Sequence, residues 1–391
     1  MTLILKKLTS INDFHSQDWN ELNSHDNPFL SFEFFAALEN SGSVSKETGW
    51  EVAHLAWFDE QGLLQAVLPH YYKTHSYGEY MFDWAWAEGI TRAGIGYYPK
   101  AVAAIPFTPV SGQRLLISAQ LEQKNPKIRH ELVSQLFSSV QEASRLDTSL
   151  SDKQVSNLQC LFLEEKEVEG WKIAGAMIRR GYQFSWYNND YQSFDDFLGK
   201  LRSSPRKKIR RERRNLMEQG VSFKHFEGCE IDDDLWSFFI SCYQQTYLKR
   251  SGHLGYLNQQ FFEQIRLTMS EKLLIICAYQ NDKPLATSLF IKGKDILYGR
   301  YWGALELIDG LHFDCCYYQA IDYCIDHEIG CLQPGTQGDY KRRRGFIPEY
   351  VYGAYYFCDV NLRHPIQEYL DEETEQLKQQ FANWTVTSPY K

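Results

Sequence analysis

The nine cysteines of this 391-residue chain contain no CxxC pair, and the only neighbours, Cys315 and Cys316, fall in an expected helix where adjacent side chains diverge. That excludes a zinc ribbon or redox motif read from spacing and points to reduced, buried thiols in a cytoplasmic protein. No uncharged apolar run approaches the roughly 18–20 residues that span a bilayer, so no membrane insertion is expected. Residues 1–10 carry Lys6 and Lys7 without a long apolar core or small-residue cleavage site, which argues against a signal peptide. There is no Ser/His/Asp nucleophile elbow, HExxH or Walker loop, so hydrolase, metalloenzyme and kinase chemistry find no residues and no metal is expected. A formal charge of -9 argues against polyanion binding by the protein as a whole.

What the chain does have is apolar and aromatic substance. It is 43% hydrophobic and 15% aromatic, which excludes disorder, and its length allows two or three domains with sizeable cores. One pattern occurs twice. Residues 56–73 and 278–292 each read as an apolar strand, a polar turn containing Asp, and a second alternating strand. A second echo pairs Arg179-Arg180-Gly181-Tyr182 with Arg343-Arg344-Gly345-Phe346. Two echoes in the same order point to a duplicated α/β unit, with function sought in a cleft between related halves.

Periodicity predicts strands at 2–6, 51–58, 63–72, 80–86, 158–163 and 182–187 in the first half, with helices at 11–22, 31–40, 129–146 and 167–180, the last stopped by Gly181. Residues 87–113 read as a long ordered loop rich in Gly, Pro and aromatics, a kind of segment that is usually functional. After a helical insertion at 194–219, the second half predicts strands at 221–226, 273–279, 285–292, 296–302, 331–333 and 349–357. Its helices are expected at 232–249, 258–269, 313–328 and 366–381. The domains expected are 1–190, a basic insertion at 191–220, and 221–391. The layout is mixed α+β, with mostly antiparallel sheets flanked by helices.

Local chemistry concentrates in a few places. Between Arg202 and Arg214 there are eight basic residues and one Glu, and Arg206, Lys207, Arg210, Arg211 and Arg214 fall on one broad helical face. Such a face is either solvated and paired locally or set against an anionic ligand group. Acylation of an amine needs a base and donors for the oxyanion. Candidate bases are Glu79, Asp83, Glu88, Asp314 and Asp339, with His70, His75 and His312 near neutrality, each otherwise a surface or capping residue. Asp83 lies between Phe82 and Trp84 in an expected aromatic strand, where its carboxylate needs a partner or a raised pKa. Trp84, Tyr97, Tyr98 and Phe107, beside Lys100, would line a substrate groove, as would Arg300 and Trp302, while core packing accounts for most of the aromatic strip. Gly335, Gln337 and Gly338, with Lys341, form either an anion-binding loop or a plain turn.

The element order resembles the GNAT acyltransferase fold, and two such units with a basic helical insertion resemble the Fem-type transferases, which attach amino acids to cell-wall precursor peptides. A closer resemblance is to a bacterial family of predicted N-acyltransferases, also labelled peptidoglycan biosynthesis/recognition proteins. Its marks are Ser76-Tyr77-Gly78-Glu79-Tyr80 with Phe82-Asp83-Trp84, Tyr97-Tyr98-Pro99-Lys100, and Pro106-Phe107-Thr108-Pro109-Val110-Ser111-Gly112. Further marks are the basic run from Arg206 to Arg213, Gly299-Arg300-Tyr301-Trp302-Gly303, and Gln333-Pro334-Gly335-Thr336-Gln337-Gly338. The resemblance implies tandem GNAT-like (acyl-CoA N-acyltransferase) domains and transfer of an acyl or aminoacyl group to an amine, possible acceptors including a peptidoglycan-related precursor. Tyr340 resembles the acid tyrosine of GNAT enzymes, one place further from the Gly-Phe pair. The coenzyme pattern of that fold is missing at residues 307–312, so the donor stays open between acyl-CoA and aminoacyl-tRNA. The partners implied are a small-molecule or peptide amine substrate and, where the donor is aminoacyl-tRNA, a tRNA. The alternative is a non-catalytic binding protein that recognises peptidoglycan fragments or an amine metabolite.

Overall fold

The computed structural model of the protein describes residues 2–145, 155–336 and 338–391. The chain forms two compact units: residues up to Tyr182 together with Tyr350–Gln380, and Gln183–Glu349 together with Phe381–Lys391. The units are therefore not contiguous in sequence. The strand Ile347–Phe357 carries the chain back to the first unit because its last residues pair antiparallel with Asn157–Leu163.

In the first unit, a small sheet has the order Ile4–Leu8, His54–Phe58, Leu64–Leu68, Leu116–Ile117. The hairpin strands then break at Ala53 and Pro69 and continue as Trp50–Val52 and His70–Lys73 in a second sheet. There, His70–Lys73 pairs antiparallel with Lys100–Ala103, which runs parallel to Asn157–Leu163. Strand alternation gives that sheet two unlike faces. Tyr72, Ala101, Ala103, Leu158, Cys160, Ala354 and Tyr356 point into an apolar core with Leu132, Leu136, Phe137 and Trp171. The intervening residues Tyr71, Lys73, Lys100, Gln159 and Tyr355 belong to the other face, and they too are buried. The excursion between Lys73 and Lys100 covers them.

In the second unit, Val221–Glu227, Leu273–Gln280, Lys283–Lys292 and Ile296–Ala304 form an antiparallel meander, followed by Cys331–Gln333 in parallel. The turn between the central strands uses Asn281 and Asp282, both at positive φ, as a two-residue hairpin requires. Leu273–Cys277 is buried throughout, the mark of a strand covered on both faces.

Several expectations need correction. Residues 80–86 are not a strand, and 87–113 is not a continuous loop: Trp84–Arg92 is a helix and Lys100–Ala103 a central strand. Asp83 stands at the N-cap of that helix without capping it. Gly181 does not stop a helix. The helix Glu165–Ile173 ends at Ala174, and Gly181 lies inside the strand Met177–Tyr187, where a Cβ would meet Val351 at 3.1 Å. Gly345, by contrast, ends the turn Asp339–Arg344 with φ +91. The Arg-Arg-Gly-aromatic echo is therefore not a structural repeat, whereas both hairpins of the first echo form. The basic helix starts at Ser203, so Pro205 falls in its first turn, where no N–H is needed. The end of the helix expected at 129–146 lies outside the described residues; Ile128–Arg145 is helical. All nine cysteines are unpaired. Among the described residues, no helix is long and apolar enough to cross a membrane.

Candidate functional site

The covered polar face of the first unit's central sheet gathers most of the residues singled out from sequence. Lys73 and Lys100 are directly opposite each other in neighbouring strands, an arrangement that repels unless anions intervene. The excursion between them supplies those anions. Lys100 Nζ donates to Glu79 Oε2 at 2.7 Å, to Asp83 Oδ2 at 2.5 Å and to Ser76 Oγ at 2.8 Å. Its three protons are thereby used, and neither it nor either carboxylate has any side-chain exposure. Tyr97 donates its hydroxyl proton to Asp83 Oδ2 and accepts from Trp86 Nε1, while Gln159 Nε2 donates to Asp83 Oδ2.

The electrostatics separate the two carboxylates. Burial would raise Asp83, but the charge of Lys100 and the hydrogen bonds from Gln159 and Lys100 hold it below the usual range. Glu79 is pushed up to about 7 by burial, against the pull of Lys100. Burial lowers Lys100, yet the Glu79 and Asp83 charges outweigh it and leave its pKa raised. Lys73 is brought down to about 7 by burial. It lies 3.7 Å over the Trp50 ring, donates to the Tyr77 carbonyl at 3.2 Å and has His75 Nδ1 at 3.4 Å.

The network meets solvent at Tyr98, 38% exposed, whose hydroxyl lies 2.8 Å from Ser76 Oγ. The exposed rings of Tyr77 and Trp84 contact each other edge to face nearby in the chain. Tyr97 and Phe107 are buried, so neither presents a surface. Phe107 packs on Trp50 and against Gly78, where a Cβ would come within 2.5 Å of its ring. The sequence reading missed Ser76, Lys73 and Gln159 as members of this cluster. The run 158–163 could have signalled Gln159, since it is the polar residue in an otherwise apolar stretch.

A second grouping lies in the second unit. The Trp302 and His312 rings are 5.2 Å apart, and Tyr340, 43% exposed, faces His312, Phe313 and Tyr317. His312 is lowered to about 4 by burial, reinforced by Arg250, Lys341 and Arg344. Lys341 is buried and turned onto the carbonyls of Gly335 at 2.7 Å, Thr336 at 3.2 Å and Pro334 at 3.5 Å, and burial lowers it to about 7. Gly335 and Gly338 both need positive φ; Gln337 lies outside the described residues. Asp314, raised to about 6 by burial, starts a π-helical turn 3.7 Å from Arg213, a local geometry frequent at functional sites. Arg300 leans on Tyr301, with a centroid distance of 5.1 Å.

The basic helix Ser203–Glu218 buries Ile209, Glu212 and Leu216, sets Arg213 against Asp322 at 2.9 Å, and turns Lys207, Arg210, Arg211 and Arg214 outward. Arg206 is half-buried, Lys207 and Arg210 are exposed, and Arg210 pairs with the equally exposed Asp195. Glu212 instead receives Arg344 at 2.9 Å and the Tyr318 hydroxyl. Among the described residues, no group of three or more His, Cys, Asp or Glu is placed to hold a metal ion.

Comparison with known proteins gives the frame for these groups. The fold is similar to that of FemX, at 13% identity and a TM-score of 0.52, covering 93% of this chain and 100% of that one. It is also similar to the C-terminal domain of a putative lysylphosphatidylglycerol synthetase from Agrobacterium fabrum, at 9% identity, TM-score 0.52, over 87% of this chain and 91% of that one. A tandem GNAT protein from the clavulanic acid biosynthesis pathway matches at 10% identity and TM-score 0.49, over 92% and 99%. The fold class is α+β, in the arrangement shared with FemX. Among proteins with curated descriptions, nothing matches. The match to the FemAB-like family, described as peptidoglycan biosynthesis/recognition, runs over residues 10–391, and the chain belongs to that family.

Proposed function

We propose that the protein transfers an acyl or aminoacyl group to an amine, with a peptidoglycan-related precursor as the acceptor class and acyl-CoA or aminoacyl-tRNA as the donor. One arrangement carries the reading: Glu79 and Asp83 are both buried and both bonded to Lys100, where burial drives Glu79 up while Lys100 and Gln159 hold Asp83 down. Two carboxyls driven apart in pKa are the usual sign of divided proton-transfer roles. In the proposed step the amine nitrogen attacks the donor's thioester or ester carbonyl and its proton passes to Glu79. The departing thiolate or alkoxide takes up one proton as Glu79 gives one back to solvent, and no covalent enzyme intermediate forms. Asp83 and Lys100 fix Glu79, and the Lys100–Ser76–Tyr98 contacts lead from the buried carboxyl to the exposed hydroxyl.

Trp84 and Tyr98 present the aromatic surface for the acceptor, Tyr97 and Phe107 support it from beneath, and His75 tunes Lys73. In the second unit, Tyr340 serves as a proton donor beside Trp302, with Arg300 on the same strand. Lys341 holds the loop at Gly335 and Thr336 for an anionic group, and Arg206, Lys207 and Arg210 attract the same class of anion from solution. The test is turnover with acyl-CoA and charged tRNA over an amine library. Release of free thiol or uncharged tRNA, falling about 10²–10⁴-fold in Glu79→Gln, supports the proposal. Ligand binding without release of either favours the second reading, a non-catalytic recognition protein. The complete burial of the Glu79–Lys100 cluster is the observation that favours it.

A further inference from the structure

An aspartate at the N-cap of a helix ordinarily accepts from the free N–H groups of that helix's first turn. Asp83 holds that position before Trp84–Arg92 and does not cap it. Its carboxylate turns the other way, to Lys100, Gln159 and Tyr97. Holding it there requires that the turn from Phe82 to Trp86 be fixed from outside. The contacts that fix it converge on Arg179, in the strand Met177–Tyr187.

Arg179 touches that turn at both ends. Its Nη1 donates at 2.7 Å to the carbonyl of Phe82, the residue that leads into Asp83. Its guanidinium carbon lies 4.7 Å from the centre of the Trp86 ring. Trp86 Nε1 donates to the Tyr97 hydroxyl at 2.9 Å, and that hydroxyl donates to Asp83 Oδ2. Tyr355 and Tyr369 meet the Trp86 ring edge to face at 5.4 and 5.6 Å. The guanidinium is itself set by Glu373 of the helix Val360–Val386. Nε and Nη2 donate to the two carboxylate oxygens at 2.8 and 2.7 Å. A planar fork makes the paired bonds, the carbonyl bond and the ring contact together, which an ammonium cannot. All these residues belong to the first unit.

We propose that Arg179, oriented by Glu373, is a positioning residue for the Glu79 site: it fixes the Phe82–Trp86 turn so that Asp83 stays on Lys100 instead of capping its own helix. The inference rests on the function proposed above, in which Asp83 and Lys100 fix Glu79. Arg179 itself touches none of the reacting groups.

The test follows Asp83 directly, by carbon NMR titration of the full chain labelled at the aspartate carboxyls, with the signal assigned through Asp83→Asn. Lys100, Gln159 and Ser76 act on Asp83 to lower its pKa, and Glu79, Lys73, Tyr97, Tyr98 and Tyr355 lie within its electrostatic reach. In Arg179→Gln the midpoint should rise by about one pH unit or more as the donors are lost. The kcat for amine acylation should fall about 10–100-fold, with the amine KM changed less than about twofold. On an Asp83→Asn background the same substitution should cost no more than about twofold further, because the two residues act as one unit. Glu373→Gln, at the more exposed end of the pair, carries the test if Arg179→Gln does not fold. Loss of its charge alone would lower the Asp83 midpoint, whereas a loosened turn raises it. Arg180→Gln removes a charge from the other face of the strand, where the guanidinium lies over Tyr350, and should change neither readout.

A midpoint unmoved or lowered in Glu373→Gln overturns the inference. So do rate losses that add in full to Asp83→Asn, or an equal shift from Arg180→Gln. A raised midpoint in a protein that transfers no acyl group refutes the function and leaves Arg179 as the residue that orients Asp83. Acyl transfer with the midpoint unmoved does the reverse.

Discussion

Lys100 and Lys341 are both sealed from solvent, yet their surroundings drive them in opposite directions. Lys100 sits on two carboxylates and a hydroxyl, and its pKa is raised despite complete burial. Lys341 sits on three carbonyl oxygens with no carboxylate in contact among the described residues, and burial brings it down to about 7. Carbonyl dipoles satisfy the N–H protons, but only a formal charge offsets the desolvation of an ammonium. The first unit thus keeps a permanent buried charge network, whereas the second keeps a lysine that is poised to lose its proton. Their roles differ accordingly: Lys100 holds carboxylates in place, and Lys341 holds a glycine-bearing loop.

The sharpest way to break this comparison is to remove each ammonium. Lys100→Met leaves Glu79 and Asp83 buried without their counter-charge and should cost about 3–5 kcal/mol in urea denaturation at pH 7. Lys341→Met loses hydrogen bonds but relieves a buried charge, so a cost of about 1–2 kcal/mol is expected. Equal losses would show that the carboxylates are not what distinguishes the two sites.

A smaller effect comes from pH. Because the folded pKa of Lys341 lies below its ordinary value, the unfolded chain binds more protons between about pH 7 and 10.5, and stability from this group rises with pH across that window. Below pH 7 both states are protonated and the contribution is flat. Relative to Lys341→Met, the unsubstituted protein should gain up to about 1.4 kcal/mol per pH unit between pH 7 and 10. Glu79 has the opposite sign: its raised pKa contributes stability that is full below about pH 4.5 and is lost as pH rises through 7.

The smallest effect belongs to the outward basic face. Arg206→Ala, Lys207→Ala and Arg210→Ala should each change stability by no more than about 0.5 kcal/mol, since Arg210's pair with Asp195 is solvent-exposed. If donor affinity is also unchanged, that face is a solvated surface and has no part in holding an anion.

Reading outward from particular residues shows where local sequence was informative. Ser31, Asp232 and Asn258 cap the helices expected to begin beside them, because a cap is a contact within one turn. The strands of the second-half meander begin and end within about two residues of where their apolar runs place them. The segment 80–103 did not yield in this way. Its aromatics suit a strand, but Trp86, Ala87 and Ile90 bury one side of a helix instead, with Trp86 fixed by Tyr97 and Tyr355. Those partners lie 11 and 269 positions away, so no local period announces them. The two Arg-Arg-Gly-aromatic strings make the same point, since only neighbours tell a mid-strand glycine from one that ends a turn.

The sequence by itself determined the family, the α+β class and the list of charged and aromatic residues worth examining, because these follow from short-range pattern and motif. Only the tertiary structure decided that Glu79, Asp83, Lys100 and Gln159 share one buried cluster. Burial and charge compensation depend on strands brought together from distant parts of the chain, and a pKa is a property of that assembled surrounding.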